Sequence, residues 1–496
     1  MILDPPWVTV IPDAPTLVHC LGDPRERAAA GALELRLDLW PEPPRLGDLA
    51  AIPGTKIVTW RRGGTKESER LRFLKDLLAG KAGDLWIDLD VEDPAAVRGL
   101  SVATARPEGV RVLMSRHFDR PATDAALRGA ARNLLRPGVD AGKLVIAAGD
   151  FPATVQALRL SEELRAEAIP CTVFAGGISG TFSRFAAVAR GDRWGYGRAA
   201  FGSPVVPGQP VVSTIETRYG GGFPSGESGA AEASSPFVCV IGSDVSGSIS
   251  PGFHNRLLAE AGRRDRWFDL SVDDPAPLLA TEGVEPWPPR AFAVTAPHKL
   301  WARRQGRAGA PGEEMHVGWN TLVGDGDGWL GWNTDVPAFL DALERAQVRV
   351  EDPVLVLGAG GTAQPIALAL ARRGTPVWIL RRSRSSLPDA LAEARVIEVE
   401  ADAIGDAQVL VNTTGATERL TWPIEGFTGT LAVEYLYARE ETDFLSRATA
   451  RGAAAVPGVE LFAEQARLQA RIIHGIEIEA DAARVLAERA LVEANQ

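Results

Sequence analysis

Cysteine is scarce in this chain: Cys20, Cys171 and Cys239 lie far apart without paired spacing. Such a set indicates neither a disulfide framework nor a zinc site, and buried thiols are expected. A surplus of positive charge is also missing. The formal net charge of -11 argues against nucleic acid or an anionic membrane as the main partner, so an anionic ligand has to be met by local arginines and lysines. No apolar run is long enough to span a bilayer, and the opening Met1–Trp7 has neither a basic segment nor a sustained apolar stretch, so a cytoplasmic location is expected. What is present is globular in character. With 45% hydrophobic and 24% charged residues among 496, the chain is too long for one core and calls for two or three domains.

A low-complexity seam at 219–236, rich in glycine, serine and alanine, divides the chain and reads as a flexible tether. Before it, short apolar runs alternate with charged, alanine-rich helical stretches: Leu17–Leu21, Leu33–Leu37, Lys56–Trp60, Leu85–Val91, Arg111–Ser115, Lys143–Ala147, Cys171–Ala175 and Trp194–Arg198. This alternation predicts a (β/α)8 barrel, with an open doubly wound sheet as the alternative. Glu34, Arg36, Asp38, Arg61, Asp88, Asp90, His117, Lys143 and Arg184 fall inside these runs or at their C-terminal ends, which in a barrel is the catalytic mouth. Taken singly, each has a structural explanation; their coincidence in one mouth points to chemistry. Lys143 begins an otherwise apolar strand, where desolvation would lower its pKa and free an amine to attack a ketone. His117 could then remove a proton beside the iminium.

Glu34-Leu-Arg-Leu-Asp38, Thr59-Trp-Arg61, Leu113-Met-Ser-Arg-His117, Gly138-Val-Asp-Ala-Gly-Lys143, Ile178-Ser-Gly-Thr-Phe-Ser-Arg184 and Pro207-Gly-Gln209 resemble, in order, the motifs of type I 3-dehydroquinate dehydratase, over about Leu17 to Gln209. The resemblance implies that Lys143 forms a Schiff base with the substrate ketone and that His117 is the general acid and base. It also implies that Arg184 and Gln209 bind the carboxylate, with Glu34, Arg36 and Arg61 on the hydroxyl side. Val205 replaces a serine of the family pattern, with Ser203 as its candidate substitute, and Glu67 is the candidate acid to support His117.

After the seam, Pro353-Val-Leu-Val-Leu-Gly-Ala-Gly-Gly-Thr-Ala363 is an apolar strand running into a glycine turn and an alanine-rich helix from Gln364 to Arg372. In that context glycines let a pyrophosphate approach backbone N–H groups at a helix N-terminus. The next strand, Val377–Leu380, ends in Arg381-Arg382-Ser383 where an NAD enzyme would place an acid, and arginines there suit the 2′-phosphate of NADP. The expected cofactor set is Gly358, Gly360, Gly361, Thr362, Ala363, Arg381, Arg382, Ser383, Thr413 and Gly458.

Ser246-Gly-Ser-Ile-Ser-Pro251, Phe292-Ala-Val-Thr-Ala-Pro-His-Lys299, Asn320-Thr321, Gly331-Trp-Asn-Thr-Asp335, Glu434-Tyr-Leu-Tyr437 and Gln465 resemble shikimate dehydrogenase, in order, from about Phe237 to Gly475. That resemblance implies a catalytic pair of Lys299 and Asp335, with Ser248, Ser250, Thr295, Asn320, Tyr437 and Gln465 on the substrate. Gly247, Ala293, Arg381 and Glu434 depart from the family pattern. No metal is expected.

The two resemblances together imply a bifunctional shikimate-pathway enzyme that converts 3-dehydroquinate to 3-dehydroshikimate and reduces that product to shikimate with NADPH. Alternatives are a quinate-using dehydrogenase fusion and a catalytically inactive, quinate-responsive regulator. The expected organisation is a dehydratase barrel at 1–218, linker 219–236, substrate-binding domain 237–338, Rossmann-like NADP domain 339–458 and C-terminal helices at 459–496 returning to the substrate domain.

Overall fold

The computed structural model describes residues 6–494 except 64–66, 95–96, 98–105, 148–150, 190–191, 193, 203, 220–236, 264, 280–288, 382–388, 415–421 and 423. The expected tether from 220 onward, Ser203, Arg382 and Ser383 thus lie outside the described residues. Two compact units change over between Thr217 and Arg218.

The first unit is a ring of parallel strands: β1 (Trp7–Ile11), β2 (Ala32–Arg36), β3 (Thr55–Thr59), β4 (Leu85–Asp90), β5 (Val110–His117), β6 (Ala141–Ile146), β7 (Cys171–Ala175) and β8 (Gly195–Arg198). Each pairs with its sequence neighbour and β1 also pairs with β8, so among the described residues only a β7–β8 ladder is missing from closure. This is the expected barrel and not an open doubly wound sheet. Its first strand differs from the expectation, because Leu17–Leu21 lies in the helix Ala14–Gly22. Asp13 caps that helix by accepting the Thr16 N–H at 2.8 Å, and Pro15 occupies its first turn. The strand is the fully buried Trp7-Val-Thr-Val-Ile11 just upstream. A short apolar run looks alike in either element, and here the preceding cap decides.

Alternation along the strands builds the barrel interior. Val8, Ala32, Ile57, Trp86, Leu113 and Ala141 belong to an inner plug, whereas Leu33, Leu35, Val58, Ile87, Met114 and Leu144 pack in the core shared with the helices. Two residues beyond the plug on successive strands come Glu34, Thr59, Asp88, Ser115 and Lys143, all buried, so a polar layer stands on an apolar floor.

The second unit has two sheets. β9 (Phe237–Gly242), β10 (Arg266–Ser271), β11 (Pro289–Val294), β12 (Arg307–Ala308), β13 (Thr321–Gly324) and β14 (Trp329–Trp332) form a mixed sheet in the order β10-β9-β11-β13-β14-β12. β15 (Val354–Leu357), β16 (Val377–Leu380), β17 (Ile397–Glu398), β18 (Val409–Asn412), β19 (Leu431–Glu434) and β20 (Ala454–Val456) are all parallel, ordered β17-β16-β15-β18-β19-β20. That order is doubly wound, with its switch point between β15 and β18, where such sheets open a crevice for a nucleotide. Helices Gly458–His474 and Ala480–Ala494 pack through Phe462, Ala466, Ala483 and Leu486 on Phe253 and Leu257 of the helix Ser250–Glu260, bringing the end of the chain back to the first lobe. No described helix is long and apolar enough to cross a membrane.

Candidate active sites

In the barrel, Lys143 is the third residue of β6 rather than its first, and its surroundings are polar rather than apolar. Its Nζ lies 2.9 Å from Glu34 Oε1 and 2.6 Å from Asp88 Oδ2, with the Tyr196 ring 4.7 Å away. Thr59 donates its hydroxyl to Glu34 at 2.7 Å. Burial alone would raise the Asp88 pKa, but Lys143 and Arg61 outweigh it and hold the carboxyl below its ordinary range. Two carboxylates grip this buried lysine in place of the apolar surroundings expected.

Arg61 binds Asp90 at 2.6 Å and lies 3.5 Å from Asp88. It also meets His117 Nε2 at 2.7 Å. A guanidinium has no lone pair to offer, so Nε2 accepts and the neutral ring carries its proton on Nδ1. His117 ends β5 with its ring open to solvent on one side. The remaining surroundings hold the imidazole well below its ordinary range, through desolvation first and then through Arg61 and Lys143, with Asp88 opposing. Glu67, the candidate support for His117, instead holds Arg70 at 2.6 Å at the start of the helix Glu67–Leu78. Three residues apart on one helical face, these two find each other locally.

Arg184 is buried, stacked at 4.3 Å on the Phe174 ring and 3.4 Å from the Tyr196 carbonyl, while its Nε has no hydrogen-bond partner among the described residues. Burial lowers its pKa to about 10, against the pull of Glu34. A buried cation with an unfilled donor suits an anion. Arg36 is paired bidentately with Asp38, and Gln209 accepts the N–H groups of Val205 at 3.0 Å and Val206 at 3.4 Å, which leaves its amide nitrogen to donate.

In the second unit a cavity of about 590 Å³ is lined by Ser248, Ser250, Thr295, Lys299, Asn320, Asp335, Thr362, Thr413, Tyr437, Gly458 and Gln465, among others. Lys299, first residue of the helix Lys299–Ala302, donates to Asp335 Oδ2 at 2.7 Å and to Thr362 Oγ1 at 2.8 Å. Asp335 opens the helix Asp335–Arg345, where the helix dipole favours a carboxylate. Asn320 donates to Asp335 Oδ1 at 3.0 Å and to Thr334 Oγ1 at 2.8 Å, with Gln465 Oε1 a longer 3.4 Å away. Burial holds the Tyr437 phenol above its ordinary pKa, opposed by the nearby Ser248 and Ile249 backbone, so it remains a donor.

The glycine turn after β15 fits a dinucleotide. Gly358 has φ +106°, and a Cβ there would come within 2.8 Å of Thr413 Oγ1; a Cβ on Gly361 would press on Lys299 at 3.0 Å, and the space at Gly360 is open. Side chains would fill the cradle at the N-terminus of the helix Ala363–Arg372. Arg381 at the end of β16 is ion-paired with the exposed Glu398 at 2.9 Å. Asp88, Thr334 and Gln469 had no role assigned from sequence. Gln469 carried a signal, since it lies one helical turn after Gln465, and it donates to Thr321 Oγ1 at 2.9 Å. Asp88 carried one too, as an acid inside the apolar run Leu85–Leu89.

Fold and sites together define an enzyme with a lysine-bearing barrel and a two-lobed dinucleotide-dependent oxidoreductase on one chain. Residues 21–220 match the family model of type I 3-dehydroquinase. Shikimate dehydrogenase (NADP(+)) of Aeropyrum pernix is 31% identical over 259 residues, 48% of this chain and 92% of that protein. The shikimate biosynthesis protein AroDE of Chlamydia pneumoniae is 24% identical over 447 residues, 88% of each chain. A solved structure of Thermus thermophilus shikimate 5-dehydrogenase in complex with NADP(H) and shikimate is similar at 27% identity and TM-score 0.45, over 52% of this chain and 100% of its own. The chain belongs to the shikimate dehydrogenase family and carries a type I 3-dehydroquinase domain before it.

Proposed function

We propose that the barrel dehydrates 3-dehydroquinate to 3-dehydroshikimate through a Schiff base on Lys143, and that the second unit reduces 3-dehydroshikimate to shikimate with NADPH, in the cytoplasm. The observation that carries this is the pair of separate buried lysines, Lys143 held by two carboxylates and Lys299 by one, each in a fold of the matching family. Supplying 3-dehydroquinate and NADPH to the whole protein should yield shikimate with one NADPH consumed per molecule. Accumulation of 3-dehydroshikimate with NADPH untouched would reject the second activity, and no conversion at all would favour an inactive regulator.

In the barrel Lys143 passes a proton to Glu34 at 2.9 Å and its amine adds to the ketone carbon; return of that proton to the carbinolamine hydroxyl expels water and leaves an iminium. The iminium acidifies the adjacent carbon. His117 removes that proton through Nε2, whose lone pair Arg61 must release to the substrate, and returns it to the departing hydroxyl; hydrolysis then frees Lys143. Arg184 holds the carboxylate. Arg61 adds to desolvation in keeping His117 neutral, so Arg61→Met is expected to move the acid limb of dehydratase kcat/KM upward, part of the way toward the ordinary imidazole value of ~6.5. A limb that stays in place removes Arg61 from that role.

In the second unit NADPH, when bound, supplies a hydride to the ketone carbon. Gly358, Gly360, Gly361, Thr362 and Ala363 would hold its pyrophosphate, Thr413 and Gly458 would flank it, and Arg381, Arg382 and Ser383 would take the 2′-phosphate. Lys299 donates a proton to the oxygen that gains charge, and Asp335 keeps that ammonium aimed. Arg381 is itself largely buried and is held by the exposed Glu398 through two bonds of 2.9 Å, so the test falls on Arg382. Arg382→Ala should weaken NADP binding by ~1.5–3 kcal/mol, one charge-assisted hydrogen bond, while barely changing the KM for NAD. Equal loss with both cofactors refutes the role.

A further inference from the structure

The cavity of the second unit is unusual for an anionic substrate. Among its described lining residues Lys299 is the one Lys or Arg, already engaged by Asp335, and Asp244 adds further negative charge. Binding a carboxylate there depends on neutral donors held in register, and these cluster at the turn Val245–Ser248 and at Tyr437. From within, the turn is pinned by Ser248 N–H to the Val245 carbonyl at 2.9 Å, by Ser246 N–H to Asp244 Oδ1 at 3.0 Å, and by Val245 N–H to Ser271 Oγ at 3.1 Å.

From outside it is held by Arg218. The guanidinium donates to the Ser246 carbonyl at 2.8 Å and reaches the Val245 carbonyl at 3.5 Å. Asp269 braces it at 3.3 Å, and the Tyr219 hydroxyl donates to the same carboxylate. The Arg218 carbonyl is fixed by Asn255 at 3.2 Å, which is locked in turn to the backbone of Trp267. In a trans peptide C=O and N–H point in opposite directions, so holding the Ser246 carbonyl sets the Gly247 N–H away from Arg218. The charge of Arg218 also bears on the Tyr437 phenol, which lines the same cavity as Ser248. Arg218 and Tyr219 end the helix Val212–Tyr219, in which the changeover from the first unit to the second occurs.

We propose that Arg218, supplied by the segment that follows the barrel, is a positioning residue for the dehydrogenase, setting the turn whose donors receive the substrate carboxylate. This rests on the reading that Ser248 and Tyr437 contact the substrate. A turn held in one conformation serves ground state and transition state alike, so its loss acts on KM and not on kcat. In the full-length protein Arg218→Ala is expected to raise the KM for 3-dehydroshikimate about tenfold, the scale of one charge-assisted hydrogen bond. The values of kcat, the KM for NADPH and dehydratase turnover should stay unchanged, and Arg218→Lys should recover part of the loss. Arg218→Gln gives the same test should the alanine variant not fold. An unchanged KM in the soluble variants, or a fall in kcat without a rise in KM, overturns the inference. Ser248→Ala, measured alongside, separates the two levels. If it raises KM while the Arg218 variants do not, only the Arg218 inference fails; if neither raises KM, the substrate reading fails with it.

Discussion

Borohydride added with 3-dehydroquinate is expected to fix a reduced adduct on Lys143, and Lys143→Arg is expected to lower dehydration by on the order of 10⁴-fold or more while leaving reduction of 3-dehydroshikimate intact. Arginine is the informative substitution because of what surrounds the lysine. Glu34 and Asp88 both point at Nζ, and the Thr59 hydroxyl touches both, 2.7 Å from one and 3.4 Å from the other. Removing the cation with alanine would leave two buried carboxylates facing each other, which costs on the order of 3–5 kcal/mol and confounds lost chemistry with lost folding. An arginine keeps the charge but offers no nucleophilic amine. An adduct on a different lysine, or turnover that survives in Lys143→Arg, sinks the Schiff-base mechanism.

The barrel could be read from sequence because short apolar runs alternate with charged, alanine-rich helical stretches, and polar residues inside or ending those runs made its mouth legible. Ala32, Glu34 and Arg36 rise along one strand, and Trp86, Asp88 and Asp90 along another, so polar residues in steps of two within apolar runs mark an interior wall. The first strand was missed because Trp7–Ile11 follows directly on a proline pair, while the equally apolar Leu17–Leu21 looked like a strand until its Asp13 cap is counted. Lys143 was placed correctly in the mouth but given the wrong surroundings. Carboxylates on distant strands of the barrel surround it, and no local pattern carries that information. Glu67 failed for the opposite reason, since nearness in sequence to Arg61 says nothing once a helix begins and offers Arg70 as a partner. In the second unit the glycine turn was legible because strand, turn and helix are contiguous. Arg218 was not, because its role depends on two carbonyls across the seam.

Lys299 and Asp335 should behave as one unit. They come from separate turns, one after β11 and the other after β14, and meet at 2.7 Å where Asn320 holds the second carboxylate oxygen at 3.0 Å and Thr362 accepts from the ammonium at 2.8 Å. Because Asp335 is anchored independently of Lys299, removing the lysine leaves a positioned but purposeless acid. Removing the acid leaves a lysine whose nearest remaining partner is a threonine hydroxyl on the cofactor turn, so the ammonium loses its aim. Lys299→Ala and Asp335→Ala should each lower reduction by about 10²–10⁴-fold, the scale for a positioned proton donor. Groups that serve one transition state together are non-additive when removed, so the double variant should be little slower than the worse single. Dehydration at Lys143 is the internal control and should be unaffected in all three. A double variant whose loss equals the product of the two single losses would mean that the lysine and the aspartate act separately, and the paired mechanism of the second site would be wrong.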